Sequence, residues 1–187
     1  MNYELKIGVL ALQGAFEEHR QMLRRLGVES VFIRNLNDWQ QSFDGLILPG
    51  GESTSMMRVM KDEALLEPIR MKIMSGLPVF GTCAGMILLD DKHLDCMDIT
   101  VKRNAYGRQL GSFRTEHEMK GIGIVPMVFI RAPYIERYGT NVEVLSTLDG
   151  HVVAARQDRM LACSFHPELT TDTSIHEYWL STLNGRH

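Results

Sequence analysis

The sequence predicts an α/β fold: a doubly wound, mostly parallel sheet flanked by helices, with antiparallel strands at one edge. Three observations carry that prediction. Apolar runs alternate with helical patterns through the first half of the chain, the runs are apolar throughout, and the texture changes to short strands and turns after Asp90. Strands without polar alternation are buried on both faces, which is the condition of a parallel sheet covered by helices.

The elements follow in order. Residues 6–12 (KIGVLAL) read as a first strand closed by Gln13 and Gly14, and residues 16–26 carry helical spacing up to Gly27. Residues 29–33 are β-rich, 35–42 are polar, and 44–48 (DGLIL) form another buried strand running into Pro49, Gly50 and Gly51. Helical spacing resumes at Ser53. Pro68 lacks a donor for a mid-helix hydrogen bond, so a break is expected near Glu67, with a fresh helix ending at Gly76. Met56, Met60, Met71 and Met74 read as core filling, the usual role of an adaptable thioether. Residues 77–82 (LPVFGT) are the next strand and 83–89 start the next helix. Beyond Asp90, residues 99–102, 127–130, 142–146, 151–155 and 160–164 read as short strands, several of them antiparallel, and 173–183 as a terminal helix. No repeat, low-complexity tract or linker divides the chain, so residues 1–187 are expected to form a single domain.

Composition narrows the function classes. The chain has 187 residues, 20 Lys and Arg against 23 Asp and Glu, a formal charge of −3, and 44% hydrophobic residues. That suffices for a sizeable core and fits neither a disordered acidic tail nor a basic nucleic-acid binder. The longest apolar stretches fall far short of the roughly 20 residues of a membrane helix, so neither a nucleic-acid nor a membrane partner is expected. The apolar start is too brief for a secretory leader. Cys83, Cys96 and Cys163 form no CxxC pair, which argues against a disulfide framework and a Cys-rich zinc site. A reducing, cytoplasmic setting is the expectation.

The strongest local signal is Gly81-Thr82-Cys83-Ala84-Gly85 between a buried strand and a helix. This is the G-x-nucleophile-x-G form of a nucleophile elbow: a sharp turn strains the nucleophile's backbone, and small neighbours let the main chain pass closely. Cys83 at a helix N-terminus would be favoured as thiolate, and the Ala84 amide would face a developing oxyanion. The alternative is a small buried hydrophobe, the commonest fate of a free cysteine. The candidate base is His166 in Ser164-Phe165-His166-Pro167-Glu168. In an extended segment His166 and Glu168 point to one side, where the carboxylate orients the imidazole. Taken alone, His-Pro-Glu favours a surface-turn histidine beside a proline; together the motifs favour catalysis. The other six histidines make no HxH or HExxH pattern, so no metal is expected, and no other cofactor is implied. Pro49-Gly50-Gly51-Glu52-Ser53 gathers backbone amides at a helix start, with Ser53 the expected cap, and lacks the Lys of a phosphate-binding loop.

PGGES at residues 49–53, GTCAG at 81–85 and SFHPE at 164–168, in this order, resemble the class I (triad) glutamine amidotransferases, whose sheet is flavodoxin-like. LALQGAF at 10–16, LILPGGEST at 46–54, RNAYGRQ at 103–109, FIRAP at 129–133 and SFHPELT at 164–170 resemble one branch, the glutaminase subunits of pyridoxal 5′-phosphate synthase. The resemblance implies that Cys83 attacks the side-chain amide of L-glutamine, giving a γ-glutamyl thioester and ammonia, with His166 and Glu168 completing the triad. It carries glutamine binding onto Gly51, Glu52, Ser53, Arg103, Ile130 and Arg131, and an oxyanion hole onto amides at Gly51 and Ala84. It implies a partner, the (β/α)₈-barrel synthase subunit, in a hetero-oligomeric complex that uses the ammonia to make pyridoxal 5′-phosphate. By chemistry alone Arg103 and Arg131 suit a substrate carboxylate, although exposed arginines are common.

Against the family, residues 87–100 read as short between the nucleophile helix and the RN motif; the missing piece is either surface loop, which changes nothing, or a synthase contact, which alters docking. The alternatives are another class I amidotransferase or elbow-cysteine hydrolase on the same fold, and a binding subunit whose triad is idle.

Overall fold

The computed structural model describes residues 4–103 and 112–184. The first half runs β1 (Lys6–Leu10), α1 (Phe16–Arg25), β2 (Glu29–Ile33), α2 (Leu36–Trp39), β3 (Gly45–Leu48), α3 (Ser53–Asp62), α4 (Leu66–Met74), β4 (Val79–Thr82) and α5 (Ala84–Leu89). The second half runs β5 (Ile99–Lys102), β6 (Ser112–Met119), β7 (Gly123–Ile130), β8 (Tyr134–Tyr138), β9 (Glu143–Leu148), β10 (His151–Gln157) and β11 (Met160–Cys163). A 3₁₀ turn (Pro167–Leu169) and α6 (Ser174–Asn184) follow.

The main sheet has the order β2-β1-β3-β4-β11-β10-β8-β5, with β9 also paired to β10. Strands β2, β1, β3, β4 and β11 are mutually parallel. Strands β10, β9, β8 and β5 continue it antiparallel. This is the predicted doubly wound sheet with its antiparallel edge. Strands β6 and β7 form a separate antiparallel pair.

Alternation along the strands sorts the core into two layers. Leu46 and Leu48 of β3 and Val79 of β4 face Met56 and Met60 of α3, Ile69 and Ile73 of α4, and Leu88 of α5. Ile7 and Val9 of β1, Ile47 of β3 and Phe80 of β4 face Leu23 of α1 and Trp179 and Leu180 of α6, joined by Phe129 of β7. Both faces are therefore dry, and each buried aliphatic contributes about 1.5–3 kcal/mol relative to exposure.

Several expectations need correction. The break between α3 and α4 falls at residues 63–65, where Ala64 has φ 57°, and Pro68 sits inside the first turn of α4. A first-turn residue has no intrahelical acceptor for its N–H, so proline is tolerated there. Met56 and Met60 are buried, but Met71 and Met74 are 63% and 55% exposed on the outer face of α4. The polar stretch after β2 holds the short helix α2, capped by Asn35, whose Oδ1 accepts from the Asp38 amide at 2.8 Å. β6 and β8 were not expected, and β7 starts at Gly123. The stretch after α5 folds back as a compact turn: the amide of Leu94 donates to the Leu88 carbonyl, and those of Cys96 and Met97 donate to the Leu89 carbonyl. Leu94 and Met97 are buried beneath it.

Candidate active site

The C-terminal ends of β1, β3, β4 and β11 converge, and the strand order reverses between β1 and β3, the position where open α/β sheets hold ligands. A cavity of about 540 Å³ opens there. The loop after β1 contributes Gly14 and Ala15, the loop after β3 contributes Gly50 to Ser53, β4 leads to Cys83, and β11 leads to His166 and Leu169. Arg103, Ile130, Arg131 and Pro133 arrive from the ends of β5 and β7, and Ile87 from α5. The expected binding residues Gly51, Glu52, Ser53, Arg103, Ile130 and Arg131 thus share one cavity with Cys83 and His166.

Cys83 has φ 51° and ψ −105°, a region that costs a non-glycine residue about 1–3 kcal/mol. The turn is held open for it by neighbours. Its amide donates to the Cys163 carbonyl at 2.8 Å, and its carbonyl accepts from Met86 and Ile87 at 3.1 and 3.2 Å. A Cβ on Gly85 would overlap the Leu48 carbonyl, so the glycine lets α5 press against β3. The backbone is the predicted elbow, and Cys83 is 7% exposed at the cavity floor. The helix behind it has only six residues, so its dipole is a small term.

His166 adjoins Cys83 in the cavity lining, and its Nδ1 lies 2.6 Å from Glu168 Oε1. Burial by itself lowers the imidazole pKa, but the hydrogen bonds to Cys83 and Glu168, with the charges of both, outweigh it and raise it to about 10. The protonated ring is thereby stabilised beside the sulfur. The expected extended pairing of His166 and Glu168 is replaced by a different geometry. His166 itself is extended (φ −111°, ψ 85°), and Pro167 then starts the 3₁₀ turn that brings Glu168 back beneath the ring. A Cβ on Gly50 would overlap that ring, so the turn after β3 must be glycine to admit it.

At the mouth, Glu52 rather than Ser53 caps α3: its carboxylate accepts from the amides of Thr54 at 3.1 Å and Ser55 at 2.8 Å. The Ser55 amide and hydroxyl, then the Thr54 amide, hold the Glu52 carboxyl below the usual carboxylate range. Arg103 reaches Glu52 Oε1 and Thr54 Oγ1, both at 3.3 Å. Ser53 instead opens the helix, buried, with an Oγ that has no hydrogen-bond partner. Ala84 lies in the first turn of α5, where N–H groups lack intrahelical acceptors, and Gly51 lines the cavity with Cys83. Residues 104–109 of the RNAYGRQ string lie outside the described residues. Among the described residues no group of three or more His, Cys, Asp or Glu side chains could hold a metal ion.

Residues 9–184 match the SNO glutamine amidotransferase family. The chain belongs to this family. The sequence is 57% identical over 186 residues to pyridoxal 5′-phosphate synthase subunit PdxT of Streptococcus pneumoniae strain CGSP14, covering 94% of this chain and 96% of that one. A second S. pneumoniae PdxT, from strain ATCC 700669, is 56% identical over 187 residues, covering 95% and 97%. The crystal structure of a glutamine amidotransferase superposes with a TM-score of 0.90 at 41% identity, covering 96% and 99% of the two chains. PurLQS from Thermotoga maritima shares the fold, with a TM-score of 0.69 at 14% identity and 97% and 100% coverage. The sheet of this amidotransferase is therefore the flavodoxin-like sheet its motifs implied.

Some residues that shape the amidotransferase site were not singled out from sequence. Gln13 Oε1 accepts from the Glu52 amide at 2.7 Å, and the Ala15 amide donates to the Gly50 carbonyl at 2.9 Å, locking the loops after β1 and β3 together. LALQGAF contained that signal. His19, Thr82 and His176 lie behind Glu168, and no local pattern marks residues brought together from α1, β4 and α6.

Proposed function

We propose that this chain is the glutamine-hydrolysing subunit of a pyridoxal 5′-phosphate synthase, with Cys83 as nucleophile, His166 as acid and base, and Glu168 as the group that orients His166. One observation carries the reading most: His166, bonded to Glu168, shares with Cys83 the lining of a cavity rimmed by the PGGES turn. The identity to the S. pneumoniae PdxT subunits supports the choice of branch.

The geometry suits a thiolate–imidazolium pair. The Cys83 sulfur attacks the Cδ carbonyl carbon of L-glutamine, and amides at Ala84 and Gly51 stabilise the oxyanion. His166 gives its proton to the departing nitrogen, the C–N bond breaks, and ammonia leaves behind a γ-glutamyl thioester. Water then attacks the thioester while neutral His166 takes its proton. The C–S bond breaks, and glutamate leaves with the thiolate and imidazolium restored. Arg103 and Arg131 suit the substrate's α-carboxylate, Glu52 its α-ammonium, and the unpartnered Ser53 Oγ a polar group of the bound amino acid. Ile130 forms an apolar wall against the methylene groups.

Residues 1–187 act as a single glutaminase domain, working in the cytoplasm and passing ammonia to a (β/α)₈-barrel synthase subunit in a hetero-oligomeric complex. No helix among the described residues is long and apolar enough to cross a membrane. An unguarded glutaminase would waste glutamine, so activity is expected to depend on the partner. The test measures ammonia and glutamate released from L-glutamine by the chain alone and with a stoichiometric synthase subunit, with Cys83→Ala as control. Stimulation by the partner that is lost in Cys83→Ala supports the reading. Full activity in a folded Cys83→Ala protein overturns it.

A further inference from the structure

We propose that His19 is a positioning residue for Glu168, holding the carboxylate through its Nε2–H while His176 fixes its tautomer. This deepens the function proposed above and rests on the reading of Cys83, His166 and Glu168 as the hydrolytic triad.

Glu168 has a fully buried side chain. Oε1 is engaged by His166, whereas Oε2 meets no hydrogen-bond partner at normal geometry and faces His19 Nε2 at 3.5 Å. The same Nε2 lies 3.2 Å from Thr82 Oγ1, on the residue immediately before the nucleophile. Nδ1 on the far side of the ring lies 2.9 Å from His176 Nε2. Both imidazoles are fully buried and packed edge-on against Phe80.

Proton placement follows from donor and acceptor chemistry. A carboxylate only accepts, so the nitrogen facing Glu168 must carry the proton. His19 is then Nε2–H with a bare Nδ1, and His176 must donate to that nitrogen from its own Nε2. This leaves His176 Nδ1 as a bare acceptor, and it is the ring nitrogen with no partner. The reversed assignment aims a lone pair at Glu168 and strands an N–H of His176 in an apolar layer, two penalties against the single unpaired acceptor of the first.

The charge state matters as well. Burial first, then the charges of His176 and His166, hold His19 far below the ordinary imidazole value, and burial brings His176 to about 3. Both rings are neutral. A neutral donor orients Glu168 without neutralising the charge that His166 needs; a cationic one would compete with His166 for it. The titratable groups facing Glu168 are His166 on its own loop, His19 on α1 with His176 of α6 behind it, Cys163 on β11, and Cys83 beyond His166.

The test compares His19→Gln, His19→Asn and His19→Phe in the complex with the synthase subunit, reading kcat, KM and the pH profile of glutamine hydrolysis. Alkylation of Cys83 against pH is read in the chain alone. A Gln amide nitrogen reaches the place of Nε2, whereas that of Asn reaches only the place of Nδ1. Gln is expected to keep near-normal kcat. Asn and Phe should lower kcat about 10- to 100-fold with little change in KM. Their alkaline limb should move to lower pH, because a poorly held Glu168 stabilises the imidazolium less. Equal kcat and pH profiles for folded His19→Gln and His19→Asn overturn the proposal, and that comparison stands even where His19→Phe does not fold. Hydrolysis persisting in Cys83→Ala would instead overturn the triad reading.

Discussion

The parallel strands and the antiparallel strands share one sheet but bury their residues differently. Every residue of β3, β4 and β11 is buried, while β8 is largely exposed along its second half and β5 alternates. Cys83 and His166 follow β4 and β11. Arg103 follows β5, and Ile130 and Arg131 end and follow β7 of the separate antiparallel pair, strands with one face near water. A strand dry on both faces cannot slip without exposing apolar side chains, so it fixes the relative position of Cys83 and His166. A strand wet on one face is held by fewer contacts and suits residues whose task is recognition.

The sharpest way to break this comparison is at the parallel end. His166→Asn, like Cys83→Ala, is expected to lower glutamine hydrolysis by a factor on the order of 10⁴ or more with the fold intact, by ammonia assay and circular dichroism. Arg131→Ala, in the recognition half, should instead raise KM about 10- to 100-fold, the worth of a charge-assisted hydrogen bond, and leave kcat much less affected. A fall in kcat as large as that of His166→Asn would place Arg131 in the chemistry and erase the division.

Stability sharpens the comparison. His19 and His176 are neutral when folded and titrate near 6.5 when unfolded, so the unfolded chain binds more protons below that pH. Their contribution is complete above about 6.5 and is lost as the pH falls, at about 1.4 kcal/mol per pH unit for each ring. Denaturant titrations between pH 4.5 and 6.5 should show that slope, and His176→Phe should flatten it by about half. His166 works the other way: its stabilisation is complete below about 6.5 and is lost as the pH climbs through about 10. In the parallel half, Met60→Ala should cost about 2–5 kcal/mol, while Met71→Lys on the exposed face of α4 should stay within about 0.5 kcal/mol. Thiol labelling read by mass spectrometry should rank Cys83 first. Cys96, pushed up to about 11 by burial, and Cys163, pushed up further for the same cause, should lag behind it.

The same contrast explains what was legible. Continuous apolar runs gave β1, β3, β4 and β11, and the glycine-framed cysteine and the His-Pro-Glu string stood at their ends. Strand β6 (SFRTEHEM) exposes alternate side chains and pairs only with β7, so its sequence reads as polar. Met71 and Met74 were misassigned because methionine identity says nothing about which face of a helix it occupies. Ser53 was taken for a cap because serine caps helices more often than glutamate. A Glu52 side chain long enough to fold back onto Thr54 and Ser55 does it instead. The His19–His176 pair is invisible locally, since 157 residues separate the two rings.

The bond from the Cys83 amide to the Cys163 carbonyl extends the β4–β11 ladder one rung beyond the strands. It ties the turn at Cys83 to the segment Cys163, Ser164, Phe165 and His166, which returns the imidazole to the same cavity. The spacing between sulfur and imidazole is thereby tied to the register of β4 against β11.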